Sequence, residues 1–64
     1  MMIYIQKEHR TLQLDYTGTA AGLLSQLVIN AETVLIVCDG KLMTPDDDVS
    51  NAAKIELLSV ISGG

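Results

Sequence analysis

Sixty-four residues allow one hydrophobic core and no more, because a chain this short buries only about 60% of its unfolded surface on folding. Apolar residues make up 48% of the chain and charged residues 19%, which excludes a solvated, disordered segment. Eight acidic against four basic residues give a formal net charge of −4, a balance that repels phosphate backbones, argues against nucleic-acid binding and suits docking on a basic protein surface. Tyr4 and Tyr16 are the only aromatics, so the core has to be built from Ile, Leu, Val and Met. Cys38 is the one cysteine, which leaves no internal disulfide and no Cys/His cluster for a metal. Residues 1–6 lack the basic start and long apolar stretch of a signal peptide, and no run reaches the length of a membrane span. The expectation is a soluble, cytoplasmic protein with no membrane partner.

In chain order, Ile3 and Ile5 alternate with Tyr4 and Gln6, and Leu12, Leu14 and Tyr16 alternate with Thr11, Gln13 and Asp15. Two half-buried strands are predicted, joined by a turn at Lys7-Glu8-His9-Arg10, where His9 reads as a solvated turn residue. Thr17-Gly18-Thr19 supplies a break and an N-cap for a helix over 20–28, whose Leu23, Leu24, Leu27 and Val28 form a stripe able to cover a sheet face. Gly22 within it implies either a short helix or a close approach to the sheet. Ile29-Asn30 ends it, with Asn30 suited to the left-handed conformation common after helices.

Residues 33–38 are β-branched and apolar, Asp39-Gly40 is a two-residue hairpin signal, and 41–43 returns as a short strand. Thr44-Pro45 breaks that ladder. Asp46-Asp47-Asp48 lacks the spaced ligands, glycine and distal glutamate of a calcium loop, and reads as a solvated turn or a cap for a helical turn near 49–52. The last strand covers 54–60. Strand, strand, helix, strand, short strand, loop, strand implies an α+β fold, a mixed sheet with one main helix on one face and the first and last strands side by side and parallel.

The sequence closes on Ser62-Gly63-Gly64. Two residues without a Cβ make a thin, permissive segment able to pass a narrow channel, and they leave a following carboxylate uncrowded and open to adenylation and then to attack by sulfur or an amine. The expected organisation is a single domain over 1–64, with 62–64 as a flexible tail. If Ile55 and Leu57 face the helix, then Glu56, Leu58 and Val60 face away. If Val34, Ile36 and Cys38 face in, Leu35 and Val37 face out. Leu35, Val37, Leu58 and Val60 then form an apolar patch beside the tail, a surface of the kind that marks a partner site. Short apolar runs do not fix strand facing, so strands covered on both faces, or with the faces reversed, are the alternative. Cys38 reads as a core filler rather than a sulfur-relay thiol.

The leading hairpin, the Leu23-Leu24-x-x-Leu27 helix, the Asp39-Gly40-Lys41 turn and the apolar strand running into Gly63-Gly64 together resemble the β-grasp sulfur carriers, relatives of the ubiquitin-like modifiers. The resemblance covers essentially the whole chain, and its length and few aromatics look more like the thiamin-type carrier than the molybdopterin-type one. It departs at Asn51-Ala52-Ala53-Lys54, where family members often carry Gly-Asp, so that turn has to close by other means.

The resemblance implies that Gly64 is the reacting residue, with Gly63 giving clearance and Ser62 helping to hold the tail. Its carboxylate would be adenylated and converted to a thiocarboxylate that donates sulfur, to thiamin thiazole first, with molybdopterin or tRNA thiolation as other destinations. The chain would be a carrier and co-substrate rather than an enzyme, binding no cofactor, while ATP and Mg²⁺ belong to the activating enzyme. The implied partners are an adenylating enzyme of the ubiquitin-activating type, a sulfur-accepting synthase such as thiazole synthase, and a sulfur donor such as a cysteine desulfurase system. Two alternatives stand beside it: a ubiquitin-like modifier that forms isopeptide bonds through Gly64, and a noncovalent interaction domain whose diglycine is incidental.

Overall fold

A computed structural model of the chain describes residues 1–60. Five strands form one mixed sheet in the order β2-β1-β5-β3-β4: β1 is Met2–Ile5, β2 Arg10–Gln13, β3 Val34–Cys38, β4 Lys41–Met43 and β5 Lys54–Ser59. β1 and β5 pair in parallel, with Ile3 opposite Ile55 and Ile5 opposite Leu57. The other pairings are antiparallel. One α-helix, α1 at Ala20–Gln26, covers one sheet face, so the described residues make an α+β arrangement of two layers.

The alternation of β1 and β5 decides which face is covered. Ile3, Ile5, Ile55 and Leu57 meet Leu23 and Leu24 of α1, with Ile36, Val49 and Ala52 completing the buried cluster. Each fully buried Leu or Ile contributes about 1.5–3 kcal/mol of apolar transfer, so two central strands and one helix face supply most of what holds so small a sheet together.

The helix is short and closely tied at its start. Thr19 is the N-cap, and its Oγ1 accepts the Gly22 N–H at 3.3 Å. The Ala20 and Ala21 N–H groups donate to the carbonyls of Asp47 and Pro45 at 2.9 and 2.8 Å, so the loop after β4 serves as the rest of the cap. Tyr16 does not extend β2, which stops at Gln13. Its hydroxyl instead donates to the Thr19 carbonyl at 2.7 Å. A Cβ on Gly22 would overlap that hydroxyl, so the glycine admits Tyr16 rather than the sheet.

Two expectations at the other end of the helix are corrected. Val28 is not part of the sheet-facing stripe: it lies beyond α1 with φ at 59° and is 91% exposed. The Ile29 N–H donates to the Leu24 carbonyl at 2.9 Å, a reversal that needs a left-handed residue at Val28 and turns Ile29 inward. Asn30 is not left-handed. Its φ is −75°, and its Oδ1 accepts the Glu32 N–H at 2.9 Å to start a 3₁₀ turn, Ala31–Thr33. Among the described residues no helix is long and apolar enough to cross a membrane.

Candidate functional site

The face of the sheet away from α1 carries the residues that the alternation assigns to a patch. Leu35 is 45% exposed, and it stands directly opposite Leu58, which is half-buried. Val37, also half-buried, is opposite Glu56 on one side and Leu42 on the other. Val60, just past β5, is 44% exposed and donates its N–H to the Thr33 carbonyl at 3.1 Å. Residues directly opposite in a ladder share a face, so Leu42, Val37, Leu35, Leu58 and Val60 form a continuous apolar strip, with Glu56 as the single carboxylate set into it. Ser62, Gly63 and Gly64 lie outside the described residues.

Leu42 and Tyr4 belong to this face and were missed from the sequence. Leu42 is the most exposed apolar residue of the strip, at 67%. The signal for it was present, because a two-residue Asp39-Gly40 loop fixes Leu42 opposite Val37. Tyr4 stands opposite Glu56 across the parallel pair β1 and β5, a neighbour that depends on strand order.

The loops that join these strands are closed by local chemistry. Asp39 and Gly40 take φ of 49° and 85°, the two left-handed positions of a primed hairpin turn. The Asp39 carboxylate then accepts the N–H groups of Ala53 and Lys54 at 3.2 and 2.9 Å, and the Asp39 N–H donates to the Lys54 carbonyl at 2.9 Å. This closes the turn before β5 without a Gly-Asp pair there. In the 46–48 run, Asp47 holds the Thr44 N–H at 2.8 Å and Asp48 holds the Ser50 N–H at 2.8 Å, so these two aspartates brace turns. The Ser50 N–H, helped by the Ser50 hydroxyl, keeps the Asp48 carboxyl below its ordinary value.

Titratable chemistry is sparse among the described residues. Burial pushes the Cys38 thiol up from its ordinary value, the Asp39 carboxylate adds to the rise, and the Lys41 ammonium opposes it. A thiol held protonated at neutral pH is a poor nucleophile, and Cys38 packs against the core from the helix side of β3. His9 is exposed at the left-handed end of the 3₁₀ turn Gln6–Glu8, with φ at 49°. Among the described residues no group of three or more His, Cys, Asp or Glu is gathered to hold a metal ion.

Clefts beside Cys38, Leu42 and Val28 have volumes of about 260, 270 and 200 Å³, below the ~300–1,000 Å³ usual for small-molecule sites. The arrangement suits contact with another macromolecule across a sheet face better than enclosure of a substrate. Searched against protein-family models and against curated proteins, the chain matches none.

Proposed function

We propose that the chain is a β-grasp sulfur carrier that works through Gly64. The observation that carries this reading is the position of β5: it is the central strand of the sheet, flanked by a parallel and an antiparallel neighbour, and it leads within a few residues into Gly63-Gly64. A strand fixed on both sides is a rigid base from which to present a short carboxylate-bearing segment. The apolar strip beside its end supplies a surface for the enzyme that would act there.

In this reading a carboxylate oxygen of Gly64 attacks the α-phosphorus of ATP on an adenylating enzyme of the ubiquitin-activating type, and magnesium pyrophosphate leaves. Hydrosulfide then attacks the acyl carbon, AMP departs, and a thiocarboxylate remains. Where a desulfurase persulfide is the donor, its terminal sulfur attacks, AMP departs, and a second thiol cleaves the resulting acyl disulfide, leaving the thiocarboxylate and a disulfide. The thiocarboxylate donates its sulfur to a synthase, with thiazole formation in thiamin biosynthesis as the first acceptor to test. The carrier contributes the handle and the recognition surface. The partners contribute nucleotide binding and acid–base groups.

Intact-mass measurement after incubation with ATP, Mg²⁺, an adenylating enzyme and sulfide tests this. The expected gain equals the replacement of one oxygen by one sulfur, confined to the peptide that contains Gly64. An unchanged mass with the carrier's own activating enzyme contradicts the reading. Lysine-linked conjugates that disappear when Gly63 and Gly64 are deleted would move it to a protein modifier.

A further inference from the structure

Both strands that flank β5 run out at the same end of the sheet. β1 stops at Ile5, opposite Leu57, and continues as the 3₁₀ turn Gln6–Glu8, while β3 begins at Val34, directly after the 3₁₀ turn Ala31–Thr33. Leu58 and Ser59 of β5 therefore outrun β1, while Ser59 is opposite Val34, the first residue of β3, and Val60 lies past both strands. On the β1 side no backbone acceptor of β1 is opposite Ser59. The Gln6 side chain reaches across instead, and its Oε1 accepts the Ser59 N–H at 2.9 Å. On the β3 side the Thr33 carbonyl accepts the Val60 N–H at 3.1 Å. Thr33 is held in turn by its own N–H and Oγ1, which donate to the Asn30 carbonyl at 3.0 and 2.7 Å.

Two 3₁₀ turns thus form a collar around the end of β5. They differ in kind: Thr33 contributes backbone, which any residue would supply, whereas Gln6 contributes a side-chain oxygen, which few residues could. We propose that Gln6 is a positioning residue for chemistry at Gly64, its amide oxygen standing in for the missing length of β1 and fixing the point from which residues 61–64 continue. This rests on the carrier reading above. A carboxylate delivered into another protein's site is sensitive to where its segment starts, because small displacements at the root shift the reacting atom out of line.

The test pairs Gln6→Met, which keeps length and removes the acceptor, with Gln6→Glu, which keeps an acceptor oxygen. Gln6→Met is expected to speed amide exchange at Ser59 and to lower kcat for thiocarboxylate formation roughly three- to tenfold, the worth of one hydrogen bond. KM for the chain and the urea midpoint should stay within about twofold and within error, since Gln6 is exposed. Gln6→Glu should restore both exchange and kcat. Wild-type kcat in Gln6→Met, or an equal loss in Gln6→Glu, overturns the inference. If the wild-type chain is itself not converted, the carrier reading fails, and Ser59 exchange alone decides whether Gln6 holds the strand end.

Discussion

Leu57 and Leu58 are adjacent in β5, yet they sit in opposite conditions. Leu57 is fully buried against α1, whereas Leu58 meets the half-exposed Leu35 on a face that no element among the described residues covers. The same side chain therefore serves two purposes one residue apart. On the helix side, apolar area is removed from water by folding itself. On the other side, apolar area left accessible adds little to folding and is available to a partner. The lesson is that hydrophobicity in β3, β4 and β5 exceeds what the single helix can cover, and the excess collects on one face beside the end of β5.

The largest expected effect separates the two leucines directly. Leu57→Ala should cost about 2–5 kcal/mol, the range for truncating a buried leucine, and leave so small a domain largely unfolded at room temperature. Leu58→Ala should cost less than about 1 kcal/mol. Urea denaturation followed by circular dichroism reads both, and equal losses would abolish the distinction between the faces.

The outer face is sharpened next by a binding readout. Leu35→Ser combined with Leu58→Ser should leave the denaturation midpoint nearly unchanged and lower kcat/KM for activation by an adenylating enzyme at least about tenfold, as loss of a central interface contact does. A double variant that is stable and fully active would remove the outer face from the account.

Val28 belongs to neither face and offers a control on backbone geometry alone. A β-branched residue in the left-handed region carries about 1–2 kcal/mol of strain, so Val28→Gly should stabilise by about 1 kcal/mol after the entropy that glycine adds to the unfolded chain. A rise in the thermal midpoint with unchanged activation is expected. A fall would mean that the exposed valine side chain makes a contact worth more than the strain.

The smallest effect is a pH dependence at Asp48. Its carboxyl is held below the ordinary value in the folded chain, so the folded state favours the charged form. The stabilisation it brings is complete above the unfolded-state pKa and is lost as pH falls through the lower folded-state value. The stability difference between the wild type and Asp48→Asn should therefore be present at neutral pH and shrink on the acid side. A difference that grows in acid would reverse the assignment.

Much of the fold was legible because it is written in local periods. Alternation at Ile3 and Ile5 and at Ile55 and Leu57 gave the inner face, the Asp39-Gly40 pair gave the hairpin, and Thr19 gave the start of the helix. The misses came where a contact far along the chain overrides a local pattern. The helical stripe runs on to Val28 in sequence, but the reversal that turns Ile29 inward ends the helix two residues earlier, at Gln26, without the glycine or asparagine that usually announces it. Tyr16 continues the strand alternation of Leu12 and Leu14, yet leaves the sheet to bond Thr19. The turn before β5 is closed by a carboxylate from Asp39, and the end of β5 by Gln6, a residue 53 positions away. Of the candidate patch, alternation yields Leu35, Val37, Leu58 and Val60. Tyr4 required strand order, and Leu42 required the hairpin register to be carried across.

The central claim is that this sheet presents Gly64 for adenylation, and ATP–pyrophosphate exchange measures that step alone. With an adenylating enzyme, ATP and labelled pyrophosphate, the full chain should stimulate incorporation of label into ATP, and the chain lacking Gly63 and Gly64 should not. Equal stimulation by both, or none by the full chain with its own activating enzyme, would contradict the account.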